Sequence, residues 1–397
     1  MTYHPTEEEL DRFLAHRLDP SAQARLVRHL LSGCDFCRRS VAVRQAYDSL
    51  QARIPTAALE RDPSQEEDRK LERALEALGG SAIGRHDVGD PQGQPPPSRQ
   101  RVEALMEQSI ALRFNDSKAM KGLAYRALKV AESLDPGEYA SSVICDVQAL
   151  TWAELANALR VNEKYDEAGA AFRRARALLR LGSGGPHLFA RLSWLEAVLC
   201  LDQRRLAPAR ELISGAYSLY LELGERRLAG RALISKGITL FQGGRAHQAR
   251  QAFQQALALL DLDRDPQLLS IVQHCLIDSL VRTGEYREAG KLLLQSDLRR
   301  VFADHPIVLL KLRWTEGILQ AGLGKVETAS RALLEVRTQF LDRDQGVSAA
   351  MVSLDLLPVW HRHGKYREAR EIAKQAYGTL RDLKIDREAA KVEPYLK

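Results

Sequence analysis

The chain has 397 residues, 45% of them hydrophobic and 28% charged, a balance that excludes a disordered tail and suits two or three globular domains. Its net charge of +6 permits acidic partners without demanding nucleic acid. The oiliest stretch, 188–201, is broken by Arg191 and Glu196, so no segment reads as membrane-spanning, and the acidic start from Glu7 to Glu9 does not read as a secretory signal. These features place the chain in the cytoplasm.

In chain order, apolar residues at helical spacing predict helices over 7–18, 21–31 and 38–51. Ser64-x-x-Glu67 reads as a capping box opening a fourth helix that ends at Leu78. Five cysteines in this length are too few for a disulfide framework, but Cys34 and Cys37 form a C-x2-C pair suited to a metal or a redox switch. With His29 they make an H-x4-C-x2-C array. Zinc takes four soft or borderline ligands in a tetrahedron, and two thiolates on a turn with a histidine from the preceding helix end supply three. His4 is best placed to be the fourth, 25 residues upstream of His29, because one helix can run out and the next run back between them. His16 competes from mid-helix. Cys145, Cys200 and Cys275 lie in apolar helical stretches and read as small buried hydrophobes.

The head resembles the zinc-binding anti-sigma domain, a family of small bacterial helical bundles with an N-terminal His or Cys followed by H-x3-C-x2-C. The phrase His4-Pro5-Thr6-Glu7-Glu8-Glu9-Leu10 and the pattern Arg25-Leu26-Val27-Arg28-His29-Leu30 fit its opening and second helix. The resemblance covers roughly residues 1–55 and implies His4, His29, Cys34 and Cys37 as zinc ligands. One extra residue separates His29 from Cys34, and Gly33 has the conformational freedom to absorb it. Family members commonly clamp a sigma factor. A domain of this size buries too little surface to be robust unaided, so zinc also has a purely structural use.

Residues 80–100 carry Gly89-Asp90-Pro91 and Pro95-Pro96-Pro97 and read as a flexible linker, after a helical extension at 56–79. Beyond it the chain repeats. Lys164-Tyr165-Asp166-Glu167-Ala168 recurs as Glu285-Tyr286-Arg287-Glu288-Ala289 and Lys365-Tyr366-Arg367-Glu368-Ala369, and Ala209, Ala249, Ala289, Ala329 and Ala369 are spaced 40 residues apart. Each unit reads as two antiparallel helices with Gly244, Gly284, Gly324 or Gly364 at the turn. This resembles the tetratricopeptide repeat, best in the unit holding Trp152, Leu155, Ala156, Leu159, Tyr165, Ala168, Phe172 and Ala175. The likeness covers roughly 101–389, as six clear units and one partial unit ahead of them with Ala124, Leu128, Ala131 and Pro136 on its second helix. A period of 40 in place of about 34 implies longer helices or longer loops. Pro358 is expected to bend the helix it occupies.

Arrays of this family bind extended or helical segments on the concave surface of each unit's first helix. In register, Asn157, Arg160, Arg191, Trp194, Arg231, His274, Asp278, Lys311 and Trp314 fall on that surface, although the tryptophans equally suit packing between helices. Such a groove fits an acidic, partly apolar segment. The glycine-rich 182–186 stretch lacks the strand and Lys-Ser/Thr of a phosphate loop, and His361 and His363 read as a solvated helix end. No nucleophile and base set or carboxylate pair stands out, which argues against an enzyme. The acidic residues beside the arginines of the head, with no recognition helix, argue against direct DNA binding. The sequence thus predicts an all-α chain: a zinc-stabilised head over 1–55, the extension at 56–79, the linker at 80–100, and an α-solenoid over 101–397. Its functional reading is bacterial transcriptional regulation, with the head holding a sigma factor. The rival is a pure adaptor whose zinc is only structural.

Overall fold

The computed structural model describes residues 4–14, 17–31, 34, 37–42, 44–45, 48, 65–80, 96–261 and 264–396. Helix α1 (Glu7–Leu14) opens on a reciprocal capping box: Thr6 N donates to Glu9 Oε2 at 2.9 Å and Glu9 N to Thr6 Oγ1 at 3.2 Å. It is shorter than expected, since residue 17 is already non-helical, and Pro20 then takes the first position of α2 (Pro20–Leu31). Asp19 caps α2, accepting from Ser21 N and Ala22 N. Hydrogen bonding from the Ser21 hydroxyl, more than anything else, holds its carboxyl below the usual range. The expected third helix is helical at 37–42, 44–45 and 48. Arg38 Nε donates to Leu30 O at 2.8 Å and ties it back to α2, while Leu10, Ala22, Leu26 and Cys37 bury a minimal core.

The fourth predicted helix is present as α3 (Gln65–Gly79), its Ser64 cap lying outside the described residues. It lies on the array. Leu71 is fully buried and Leu78 nearly so in the main core, and Glu67 and Asp68 pair with Arg173 at 2.8 and 3.0 Å. Lys70 meets Asp166 at 2.6 Å, and Arg174 bridges Glu72 and the Trp152 ring. An amphipathic helix with an oily stripe needs a partner, and the array offers one with matching charge.

The array begins at Arg99, one residue after Ser98, whose hydroxyl accepts from Arg101 N and caps the first helix. Its antiparallel pairs are α4 (Arg99–Ala111) with α5 (Ser117–Glu132), α6 (Ser141–Val161) with α7 (Tyr165–Leu181), and α8 (Pro186–Asp202) with α9 (Leu206–Glu222). There follow α10 (Arg226–Gln242) with α11 (Ala246–Leu257) and α12 (Pro266–Arg282) with α13 (Tyr286–Gln295). After the short α14 (Leu298–Val301) come α15 (Pro306–Gly322) with α16 (Val326–Leu341), α17 (Gly346–Arg362) with α18 (Tyr366–Asp382), and the closing α19 (Asp386–Val392). The chain is an all-α solenoid, with no strand among the described residues. Pro136 falls beyond α5, and α17 runs through Pro358 to Arg362.

The long period goes into the helices. Many are 17 residues long, such as α8, α9 and α10, and only three residues join each of them to the next. At every such corner an amide bonds back five residues, as Arg205 N does to Cys200 O at 2.8 Å and Glu225 N to Tyr220 O at 2.8 Å. This closure places one residue in the left-handed region. Glycine takes it at five corners of this kind, whereas Glu163, Arg204, Asp344 and Lys384 take it with side chains. The marker alanines 168, 209, 249, 289, 329 and 369 are buried where paired helices touch, and a Cβ at Gly237 would overlap the Phe253 ring.

Successive pairs wind until the end of the array meets its beginning. Glu163 accepts from Val347 N at 2.7 Å, Ser348 N at 3.0 Å and the Ser348 hydroxyl at 2.8 Å, so a corner carboxylate caps the start of α17. Lys118 pairs with Asp344 at 2.8 Å, Arg204 lies 3.7 Å from Glu388, and His305 bonds Asn115 at 3.0 Å. Three of the four strained corners thus make contacts between turns, which hold them in a conformation that costs about 1–2 kcal/mol each. The first helices of successive pairs pack against one another along the array.

Candidate functional site

The first site is in the head. Cys34 and Cys37, at the start of the third helix, come back to His29 at the end of α2, and His4, just ahead of α1, lies beside them. His29 Nε2 lies 3.2 Å from Cys37 Sγ, His4 Nδ1 lies 3.4 Å from Cys37 Sγ and 3.8 Å from Cys34 Sγ, and the four ligand atoms all lie within 4.8 Å of one another. The imidazoles stand edge to face, their centroids 5.1 Å apart. A tetrahedral zinc with bonds of about 2.3 Å to sulfur and 2.0 Å to nitrogen spaces its ligand atoms roughly 3.3–3.8 Å apart. The residues present therefore fit such an ion. Burial, and then the neighbouring Cys34, push the Cys37 thiol up to about 11, so a metal binding there displaces a proton. The competing His16, and Gly33, lie outside the described residues.

A second candidate is the set of first-helix side chains read from the repeat register; eight of the nine join hydrogen-bond or cation–π networks, and among the described residues the Lys311 side chain joins none. Asn157 is buried and accepts from Arg160 Nη2 at 2.9 Å, while Arg160 Nη1 donates to Asp202 at 2.5 Å. Arg191 donates to the buried Glu154 at 2.9 Å and lies 5.2 Å from the Trp194 ring, with Arg231 at 4.7 Å from the same ring. Trp194 is only 6% exposed and donates to Ser235 at 3.1 Å, so it packs between units as a platform for arginines and does not stand free. One unit on, His274 bonds Thr315 at 3.0 Å, and Thr315 donates to Asp278 at 3.1 Å. Arg282 joins Asp278 to Asp355, and Trp314, half-buried, donates to Asp355 at 2.8 Å. Trp194, His274 and Trp314 each reach a partner 41 residues ahead, a hydrogen-bond ladder with nearly the period of the repeat.

These contacts sort the cations into two kinds. Arg160, Arg191 and Arg282 are matched to carboxylates; Arg282 is held above its ordinary value, Asp278 and Asp355 outweighing the burial that opposes them. Arg113, Arg231 and Lys311 are not. Among the described residues none of the three meets a carboxylate, and Arg113 and Arg231 lie over the rings of Phe114 and Trp194. Burial, then the charge of Arg160, brings Arg113 down to about 9; burial, then Arg191, brings Arg231 down to about 10. The elements around Lys311 lower its ammonium too, chiefly by burial, with Asp202 opposing, although the side chain keeps an exposed surface.

Sequence reasoning missed Arg113, Glu154, Asp202, Arg282 and Asp355. Asp202 and Arg282 share a register position two periods apart, which the alignment of units could have exposed. Arg113 sits on the 3-10 turn Leu112–Phe114, outside the repeat, and carried no signal. Cys200 is buried as expected, whereas Cys145 and Cys275 are half-buried. His361 and His363 are exposed at the end of α17, and residues 182–185 of the glycine-rich stretch form a loop fastened by Ser183 N to Asp146 at 3.1 Å, with Pro186 already opening α8.

Comparison with known proteins gives the fold and little more. The family model described as "Soluble NSF attachment protein, SNAP" matches residues 149–292. A Rap protein complexed with Competence and Sporulation Factor is similar at 12% identity with a TM-score of 0.52, over 90% of this chain and 96% of that one. Aspartyl phosphate phosphatase F from Bacillus subtilis is similar at 12% identity with a TM-score of 0.51, over 98% of this chain and 96% of that one. No curated protein matches. At these identities the likeness is one of tetratricopeptide-like helical repeats.

Proposed function

We propose that this protein is a bacterial regulator built from a zinc-held head and a partner-binding solenoid, with the head acting on a sigma factor in the manner of the anti-sigma domain it resembles. The observation that carries the reading is the convergence of His4, His29, Cys34 and Cys37 at zinc-ligand spacing. When bound, zinc supplies a structural cross-link. The chain's own residues do the rest: Asp19 and Thr6 fix the ends of α1 and α2, and Arg38 docks the third helix on the second. The first helices and the turn after α4, with Arg113, Arg231 and Lys311 free of carboxylates, suit an acidic segment of a protein partner. The complex of the similarly folded Rap protein is in keeping with an array that holds a partner. Direct contact with nucleic acid and catalysis form no part of this reading. No helix among the described residues is long and apolar enough to cross a membrane, in keeping with a cytoplasmic role.

The adaptor alternative differs in what zinc does. The test is capture of purified sigma factors by the full chain, compared with Cys37→Ser. Capture lost with the metal supports regulation through the head. Undiminished capture by a zinc-free variant supports an adaptor that binds through the array.

A further inference from the structure

A cavity of about 120 Å³ lies where four parts of the chain meet: α3, the first half of α7, the end of α8 with the corner after it, and the corner between α18 and α19. The docked helix, the early units and the end of the array thus share one hollow. A cavity of roughly 150 Å³ holds benzene, so this one takes about five or six non-hydrogen atoms. Phe172, Leu199 and Leu383 give it an apolar side.

The charges in its wall are unevenly matched. All three carboxylates there have cations: Glu67 meets Arg173 at 2.8 Å, Asp166 meets Lys70 at 2.6 Å and Glu196 meets Arg176 at 2.6 Å. Besides Arg173, the other charged groups in the wall are Arg205 and Lys384, both cations. Lys384 is also the left-handed corner residue that contacts between turns leave unexplained. It keeps φ at 59° while joining no ion pair or side-chain hydrogen bond among the described residues, and such strain gathers where a ligand is held. Gln203, in the same wall, has a buried Oε1 without a hydrogen-bond partner, and a donor on a bound molecule recovers the cost of leaving it unpaired.

We propose that this cavity binds a small hydroxycarboxylate, and that its occupancy holds α3 and the closing corner against the early units. The carboxylate is matched by Arg205 and Lys384, the hydroxyl donates to Gln203, and the short carbon body lies on the apolar side. An ammonium in place of the hydroxyl finds no unmatched carboxylate in the wall, which sets hydroxy acids apart from amino acids. The site shares no residue with the nine read from the repeat register and stands whether or not the array holds a protein partner.

The test titrates the full chain with each enantiomer of lactate at constant ionic strength, by calorimetry and by hydrogen exchange. At least one enantiomer should bind saturably, about tenfold more tightly than butyrate or alanine of the same size, and should slow exchange of the Gln65–Gly79 amides. Lys384→Gln and Arg205→Gln should each weaken binding at least tenfold, Lys384→Arg should retain most of it, and Arg300→Gln, away from the cavity, should change nothing. Gln203→Met should remove the preference for lactate over butyrate. The exposed Lys384 is the position whose replacement least disturbs the fold, so its variant decides the matter if Arg205→Gln unfolds. No saturable binding of either enantiomer overturns the proposal, as does undiminished binding by Lys384→Gln or binding that leaves the exchange of α3 unchanged. If a peptide ending in serine displaces lactate while its C-terminal amide does not, the carboxylate is a chain end; if neither does, it is a free acid.

Discussion

Leu71→Ala should release α3 from the array while leaving the array folded. Leu71 is fully buried and Leu78 is 8% exposed, and two such leucines contribute on the order of 3–6 kcal/mol at about 1.5–3 each. The ion pairs to Arg173, Arg174 and Asp166 are partly exposed and add about 1 kcal/mol or less apiece. Truncating a buried leucine costs about 2–5 kcal/mol, comparable with the whole leucine contribution. A loss of about 3 kcal/mol raises the opening constant of the helix roughly 100-fold. Hydrogen exchange read by mass spectrometry should therefore show amides of Gln65–Gly79 losing about two decades of protection, with those of α8 to α18 unchanged. The urea midpoint of the array should move little, because the helix opens locally. Protection of α3 that survives the substitution would refute this docking, and so would equal loss of protection throughout the chain.

Four further outcomes follow from the same contacts. Glu163→Ala leaves Val347 N and Ser348 N without their acceptor and should cost about 2 kcal/mol in chemical unfolding, with a larger radius of gyration in X-ray scattering as the turns part. Arg191→Glu should cost about 3 kcal/mol or more, because it strips the buried Glu154 of its partner and sets a second carboxylate against it; a folded variant of unchanged midpoint would show that the pair is not formed. Gly237→Ala should cost about 1–3 kcal/mol by driving a methyl into Phe253, measured by thermal unfolding. Burial holds the His274 imidazole below its ordinary 6.5, so its contribution to stability is present above pH 6.5 and is lost as pH falls through the depressed value. His274→Gln should flatten that part of the stability curve, as read by urea titrations between pH 7 and 5.

The repeat was the most legible part of the chain because it is local: a small residue every 40 positions states where two helices touch, and Ala168 to Ala369 are buried there. The His/Cys cluster that could hold a metal was legible for a similar reason, since three of its four members lie within nine residues. Closure of the superhelix was not legible. Glu163 meets Ser348 across 185 residues, and neither carries a mark of the other. The four corners with side chains in the left-handed region also depart from the glycine rule, and only the contacts between turns explain three of them. Register placed Arg191 and Arg231 on one surface, but it could not separate the arginine paired with Glu154 from the one left over. That difference depends on a partner 37 residues back in another unit. The capping box made the helix of α3 legible but not its packing on the array, because a cap states where a helix starts and not what it lies against.

The central claim is a metal-held head, and metal content tests it most directly. Mass spectrometric quantification on the reduced, full-length protein purified with zinc should give one zinc per chain. It should fall to near zero in Cys37→Ser and stay at one in Cys200→Ser, whose thiol is buried in the array. Reduced wild-type protein with no zinc, or a Cys37→Ser variant that still holds one, would contradict the assignment.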